Sequence, residues 1–254
     1  ASGMALCGLR PFTYTITPFV TTRCLEQIRV DVCYHNAPVT VVAVGSGYSY
    51  STLGATHHAC EDISFLRSLP NMKIICPGDA LEVEEAVKAI LQQDSPVYLR
   101  LGKKGEPLVH DYPPKFEIGK GIVVREGTDI CLLNTGITLP IALDATQELE
   151  KRGISAKLVN LHTVKPLDET LLKEIFNSFP VVSTIEEHSL IGGLGGAVAE
   201  WIADQPPTYA KLCRFGSPDK FIHPTGSQSY IRNQIGLTPK AIADRSFNYL
   251  KASR

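Results

Sequence analysis

The sequence predicts an α/β protein of two doubly wound domains, each built on a mainly parallel sheet. Three observations carry that expectation. Apolar runs such as residues 38–44 and 96–101 are near-continuous, as strands covered on both faces must be, instead of alternating with polar residues. Segments with apolar residues at helical spacing separate such runs. The alternation then breaks at His-Asp-Tyr-Pro-Pro-Lys-Phe, residues 110–116, and starts again. The expected division is a first domain over 1–109, a linker over 110–118 and a second domain over 119–254.

Taken in order, the chain opens on Ala-Ser-Gly-Met-Ala-Leu-Cys-Gly-Leu, the texture of a helix interior stopped by Gly8. It is therefore expected to begin inside an element, with residues upstream. Residues 11–17 alternate Phe, Tyr and Ile with Thr and read as a strand. Residues 21–34 set Leu25, Ile28, Val32 and Cys33 at helical spacing. The buried strand over 38–44 ends in Gly45-Ser46-Gly47, so a loop should open at its C-terminal end, where open α/β sheets place their ligands. That loop leads to Leu-Gly-Ala-Thr-His-His-Ala-Cys-Glu-Asp, residues 53–62, with Thr56 as the expected N-cap and His57 and His58 in a first helical turn. A short strand over 72–76, a helix over 79–92 capped by Asp79, and a strand over 96–101 complete the first domain. In the second, strands are expected over 130–134, 156–161, 181–186 and 210–214, with helices over 139–152, 169–179, 195–203 and 239–250.

With 44% hydrophobic and 20% charged residues and a formal net charge of -1, the chain has no strong field to recruit nucleic acid or a membrane surface. A small molecule or another protein is the expected partner. The seven cysteines form no Cys-x-x-Cys pair, and an odd total argues against a full disulfide framework. A reducing, cytoplasmic setting is expected.

Several residues could carry chemistry. A histidine at a helix mouth stays neutral and can donate to or accept from a substrate oxygen near pH 7, which suits His57 or His58. Alternatively, one is a surface cap and the other pairs with Asp62. Arg100, ending a strand on the same sheet edge, suits a phosphate or carboxylate, or else an interdomain salt bridge. Lys103 and Lys104 add a basic rim or are simply solvated. Phe19 could stack on a heterocycle, with Arg23 one turn later, or belong to the core. Gly192-Gly193-Leu194-Gly195-Gly196 follows a strand and opens a helix, but no Lys-Ser/Thr follows it. Tight packing of the helix start fits it better than a phosphate cradle. Glu186-Glu187-His188 before it reads as an interface or active-site trio, or as a solvated strand end. No zinc pattern, nucleophile elbow or nucleic-acid module is present.

The order of these features resembles one family. Pro18-Phe19 through Glu26-Gln27-Ile28-Arg29, Gly54-Ala55-Thr56-His57, Leu69-Pro70-Asn71-Met72, Pro77-Gly78-Asp79, Lys165-Pro166-Leu167-Asp168, Glu186-Glu187-His188, the glycine-rich run through Glu200, and Gly236-Leu237-Thr238 resemble the C-terminal half of transketolases over nearly all 254 residues. The resemblance implies transfer of a two-carbon ketol unit between sugar phosphates with thiamine diphosphate and Mg²⁺. It implies that this kind of domain holds the aminopyrimidine, whereas a separate N-terminal domain with a Gly-Asp-Gly motif holds the diphosphate and the metal. That motif is not in this sequence, so the chain is expected to be the C-terminal subunit of a split enzyme, in a heterotetramer with an N-terminal subunit.

Carried over by position, Phe19 lies under the pyrimidine with Arg23 beside it. His57 is the catalytic histidine that contacts substrate hydroxyls, with His58 next to it, and Arg100 binds the substrate phosphate. The family's glutamate for the pyrimidine N1′ is expected upstream of residue 1. Leu53 stands where many sugar transketolases carry an acidic residue, and Gly45 where a histidine often sits. The same motifs leave room for a 1-deoxyxylulose-5-phosphate synthase, a 2-oxo acid dehydrogenase beta subunit, or a non-catalytic binding subunit.

Overall fold

The computed structural model describes residues 1–207 and 210–253, so residues 208, 209 and 254 of the expected second domain lie outside the described residues. Two five-stranded, mainly parallel sheets organise it. The first contains β1 (Phe12–Ile16), β2 (Thr40–Val44), β3 (Lys73–Ile75) and β4 (Val97–Leu101), in the order β1-β2-β4-β3, all parallel. The second contains β5 (Ile122–Arg125), β6 (Ile130–Asn134), β7 (Ala156–Asn160), β9 (Val181–Ser189) and β10 (Lys211–Ser217), in the order β10-β9-β6-β7-β5. Between β7 and β9 a three-residue strand, β8 (Thr163–Lys165), leaves the second sheet and pairs antiparallel with β3 at the edge of the first. Lys165 Nζ anchors it by donating to the carbonyls of Arg67 and Leu69 at 2.9 and 2.6 Å.

Each sheet is covered on both faces, which is why its strands are apolar throughout. In the second, the helices Leu139–Glu150 and Pro239–Lys251 pack with Ile130, Leu132 and Leu158 on one face. Glu169–Ser178 and Leu194–Ala203 pack with Cys131, Leu133 and Val159 on the other. In the first, Ala80–Ile90 covers one face, and Asp62–Arg67 with the 28–34 segment covers the other. Asp79 caps Ala80–Ile90 by accepting from Glu82 N at 3.0 Å, as its sequence position predicts.

Three expectations need correction. Residues 21–34 are not one regular helix but a 3-10 turn (Thr22–Cys24), a short α turn (Leu25–Gln27) and a π-helix (Ile28–Tyr34). The Thr21 hydroxyl, which donates back to the Thr17 carbonyl at 2.7 Å, interrupts the regular ladder where that segment begins. His57 and His58 are not in a helical turn, and Thr56 caps none. His57 N closes a short turn on the Gly54 carbonyl at 3.0 Å, and Gly47 and Ala59 then exchange two backbone hydrogen bonds of 2.9 Å, so the helix starts only at Asp62. The helix-dipole argument for these histidines therefore lapses. Finally, β9 runs three residues further than predicted, so Glu186-Glu187-His188 lies inside a buried strand and not at a solvated end.

Candidate active site

The loop after β2 is shaped by close backbone crossings. Gly45 and Gly47 both take positive φ (+84° and +58°), and a Cβ on Gly47 would sit 2.5 Å from the Glu187 carboxylate. The next amide, Tyr48 N, donates to Glu187 Oε1 at 2.6 Å, tying the loop to β9 of the second sheet. The loop then carries His57 and His58 to the surface of the first sheet's helical layer. There it meets the Thr17–Val20 turn, whose Pro18 sits at its start and whose Phe19 is half-buried. The Phe19 and His57 rings are 5.4 Å apart, edge to face at 69°, and the Arg23 guanidinium lies 4.4 Å above the Phe19 ring.

Phe19 and Arg23 border a cleft of about 860 Å³, while His57 packs against Phe19 outside its lining. Phe19, Arg23, Thr56 and His58 form one wall, and residues 217–222 after β10 form the other. The His58 ring meets Tyr48 edge to face at 4.9 Å. Burial lowers the pKa of His58 against the opposing pull of Glu187, which favours the neutral imidazole. Its Nε2 is buried with no hydrogen-bond partner, the condition of a group built to meet a ligand or water. Phe19, Arg23, His57 and His58, the residues singled out in the sequence, are thus brought together.

Arg100 is not with them. Its side chain is 2% exposed and sits beneath the loop. Nε donates to Asp62 Oδ2 at 2.7 Å, and Nη2 reaches Asp62 Oδ1 at 3.1 Å, the Ala59 carbonyl at 2.8 Å and the Glu187 carbonyl at 3.1 Å. Although burial pushes Asp62 upward, Arg100, helped by the Tyr98 hydroxyl, holds its carboxyl below the usual range. In this arrangement the guanidinium is a buried strut between loop, sheet and the second half of the chain, and it does not line the cleft. His58 does not pair with Asp62 either, because Asp62 is already committed. The exposed cations at the end of the same strand are Lys103 and Lys104, which border a second cleft of about 390 Å³ with Gly78, Asp79 and Tyr14.

The acidic trio is the joint between the halves. Glu186 accepts from the backbone N–H of Leu194 and Gly195 at 2.7 and 2.8 Å, so a carboxylate of the chain itself takes the helix start where a phosphate would lie. A Cβ on Gly193 would stand 2.0 Å from Glu186 Oε2, which explains the glycine-rich run as close packing. Glu187 accepts from Tyr48 N, from Gln228 Nε2 at 2.8 Å and from Arg232 Nε. His188 is buried between Asp62 and Glu186, 3.8 and 3.9 Å away. Tyr48, Gln228, Arg232 and the 217–222 loop were missed in the sequence, since contacts to Glu187 across 41 to 139 residues leave no local pattern. Among the described residues, no group of three His, Cys, Asp or Glu side chains is placed to hold a metal ion, and no helix is long and apolar enough to cross a membrane.

Comparison with known proteins covers nearly the whole chain. A family model for the transketolase pyrimidine-binding domain matches residues 1–106, and one for the transketolase C-terminal domain matches 119–242. A putative transketolase C-terminal section from Methanocaldococcus jannaschii is 36% identical over 253 residues, 99% of this chain and 78% of that protein. A 6-deoxy-6-sulfo-D-fructose transketolase subunit from Clostridium is 36% identical over 95% of this chain and 74% of its own length. A 1-deoxy-D-xylulose-5-phosphate synthase from Bacillus cereus is 37% identical, but the match spans only 39% of that enzyme. Among solved structures, a split-gene transketolase described as an inactive beta4 tetramer superposes with a TM-score of 0.90 at 36% identity, over 100% of this chain and 80% of that one.

Proposed function

Because the chain belongs to the transketolase family, we propose that it is the C-terminal subunit of a split transketolase. It moves a two-carbon ketol unit between sugar phosphates when joined by an N-terminal subunit with the Gly-Asp-Gly motif, in a heterotetramer. The observation that carries this reading is the wall formed by Phe19, Arg23 and His58: a half-buried aromatic face under a guanidinium borders the same cleft as an imidazole whose Nε2 has no partner, with the His57 ring 5.4 Å from Phe19. The tetramer of a similar split-gene protein, described as inactive, supports the need for a partner. Seven free cysteines support a reducing, cytoplasmic setting.

The family depends on thiamine diphosphate, which when bound supplies a nucleophilic carbon for breaking and forming C–C bonds. The residues present fit its ring half. Phe19 offers a half-buried aromatic face with Arg23 beside it, and the unpartnered Nε2 of His58 needs a polar atom. The diphosphate and Mg²⁺ would be held by the partner; among the described residues no group of three His, Cys, Asp or Glu side chains is placed for the metal. His57 orients substrate hydroxyls and carries protons to or from them, with His58 at the adjoining position. With Arg100 committed to Asp62, Arg23 and Lys220 border the same cleft as cations for the substrate's anionic end, and Lys103 and Lys104 border a separate one.

Mixing the full-length product with an N-terminal transketolase polypeptide and supplying a ketose phosphate or a sulfo-ketose tests this reading. Ketol transfer to an aldose acceptor is the expected result. Release of CO2 from pyruvate would point instead to the synthase or 2-oxo acid dehydrogenase chemistry, and binding without turnover to a non-catalytic subunit.

A further inference from the structure

A third cleft, apart from the two described above, lies in the second half of the chain. It has a volume of about 370 Å³, at the small end of the usual ligand-pocket range. Its walls come from the end of β10 and the helix Pro239–Lys251, and it is lined by Arg214, Arg245, Phe215, Leu190, Leu237 and Gly236 among others. Two guanidinium groups therefore face one small, partly apolar hollow.

Neither guanidinium is neutralised by an ion pair among the described residues. Arg214 Nη1 donates only to the Leu190 carbonyl at 3.0 Å. Arg245 is exposed and rests over the rings of Phe215 and Tyr249, 4.9 and 5.9 Å from their centroids. The carboxylate next to Arg245 on its helix, Asp244, is taken by Arg152 and Lys240. Glu186 lies behind Arg214, but both its oxygens are bound by helix amides. Arg214 has Glu186 as an electrostatic neighbour without an ion-pair contact, Arg245 has no carboxylate partner among the described residues, and both fork-shaped donors line one cleft. The apolar floor of Phe215 and Leu237 suits a ligand with a hydrocarbon or ring body, and two cations match a dianion better than a single carboxylate.

We propose that this cleft is a binding site for a small organic phosphate monoester, held by Arg214 and Arg245 with its body against Phe215 and Leu237. Phosphate at pH 7 carries about -1.5 to -2 charges, which two guanidiniums balance. Pro218 borders both this cleft and the larger one, so an occupant would sit directly behind the 217–222 wall of the catalytic cleft. The assignment is independent of the transketolase reading.

Calorimetric titration of the full chain with phenyl phosphate and with inorganic phosphate, at fixed ionic strength, tests it. The ester should bind at least roughly tenfold more tightly than inorganic phosphate. It should also shield Arg214 and Arg245 from phenylglyoxal, as mapped by mass spectrometry. Arg245→Gln should weaken the ester about tenfold or more with little change in melting temperature, because that side chain makes only ring contacts, whereas Lys103→Gln with Lys104→Gln should leave this binding in place. Equal binding of ester and free phosphate, affinity unchanged in Arg245→Gln, or no shielding at the two arginines would each overturn the proposal.

Discussion

Replacing Arg100 by alanine would leave Asp62 buried and stripped of its partner. Breaking such a pair costs about 3–5 kcal/mol, so Arg100→Ala should lose stability of that order in urea titration. An unchanged midpoint, with a defect only toward phosphorylated substrates, would return Arg100 to a ligand role. His57 is the opposite case: it is half-buried, its ring meets Phe19 edge to face, and its Nδ1 hydrogen-bonds the Thr56 hydroxyl. His57→Ala should lower turnover of the reconstituted enzyme by on the order of tenfold or more, the worth of a lost polar contact to substrate, while cofactor affinity stays the same. Steady-state kinetics with varied cofactor separates the two effects, and unchanged turnover would remove His57 from the site.

At the level of elements, local signals were legible wherever one segment determined its own structure. Asp79 announced a helix and caps one, and the 130–134 strand was read to the residue because Ile-Cys-Leu-Leu is apolar on both faces. Legibility failed where partners distant in sequence decide. Ala59 is held extended by Gly47, so the histidines sit in a loop; β8 exists only because β3 offers an edge; and Glu186-Glu187-His188 looks like a solvated end until Leu194, Tyr48 and Asp62 surround it. Phe19 and Arg23 were legible as a pair, but Arg100 was not legible as a strut, because nothing local shows that Asp62 will reach it. The glycine-rich helix start gives a prediction at this scale. Gly193→Ala places a methyl 2.0 Å from Glu186 Oε2, so either the helix or the carboxylate must move. A loss of about 1–3 kcal/mol, read as a lower melting temperature, is expected for such overpacking; an unchanged melting curve would mean that the helix start is slack.

For the molecule as a whole, the two halves meet through buried groups that titrate. Burial lowers His162 and His188 to about 4, whereas it raises Glu186 to about 7. Between about pH 4 and the ordinary histidine value of 6.5, the unfolded chain binds more protons at both histidines, so their contribution to stability falls on acidification. Glu186 works the other way: from its ordinary 4.5 up to about 7 the folded state holds the extra proton, so its contribution falls as pH rises. The histidine contribution should therefore decline from pH 6.5 toward 4. Replacing His162 by phenylalanine, which can keep the stack on Phe116, should flatten that decline. Urea midpoints across this range check it, and parallel curves for the two proteins would show that His162 does not carry the effect. The division of labour between two polypeptides is tested most directly by ketol-transfer activity of the full-length product, assayed alone and after mixing with a Gly-Asp-Gly N-terminal subunit in thiamine diphosphate and Mg²⁺. Activity only in the mixture is the result this account predicts; turnover by the unaccompanied chain would contradict it.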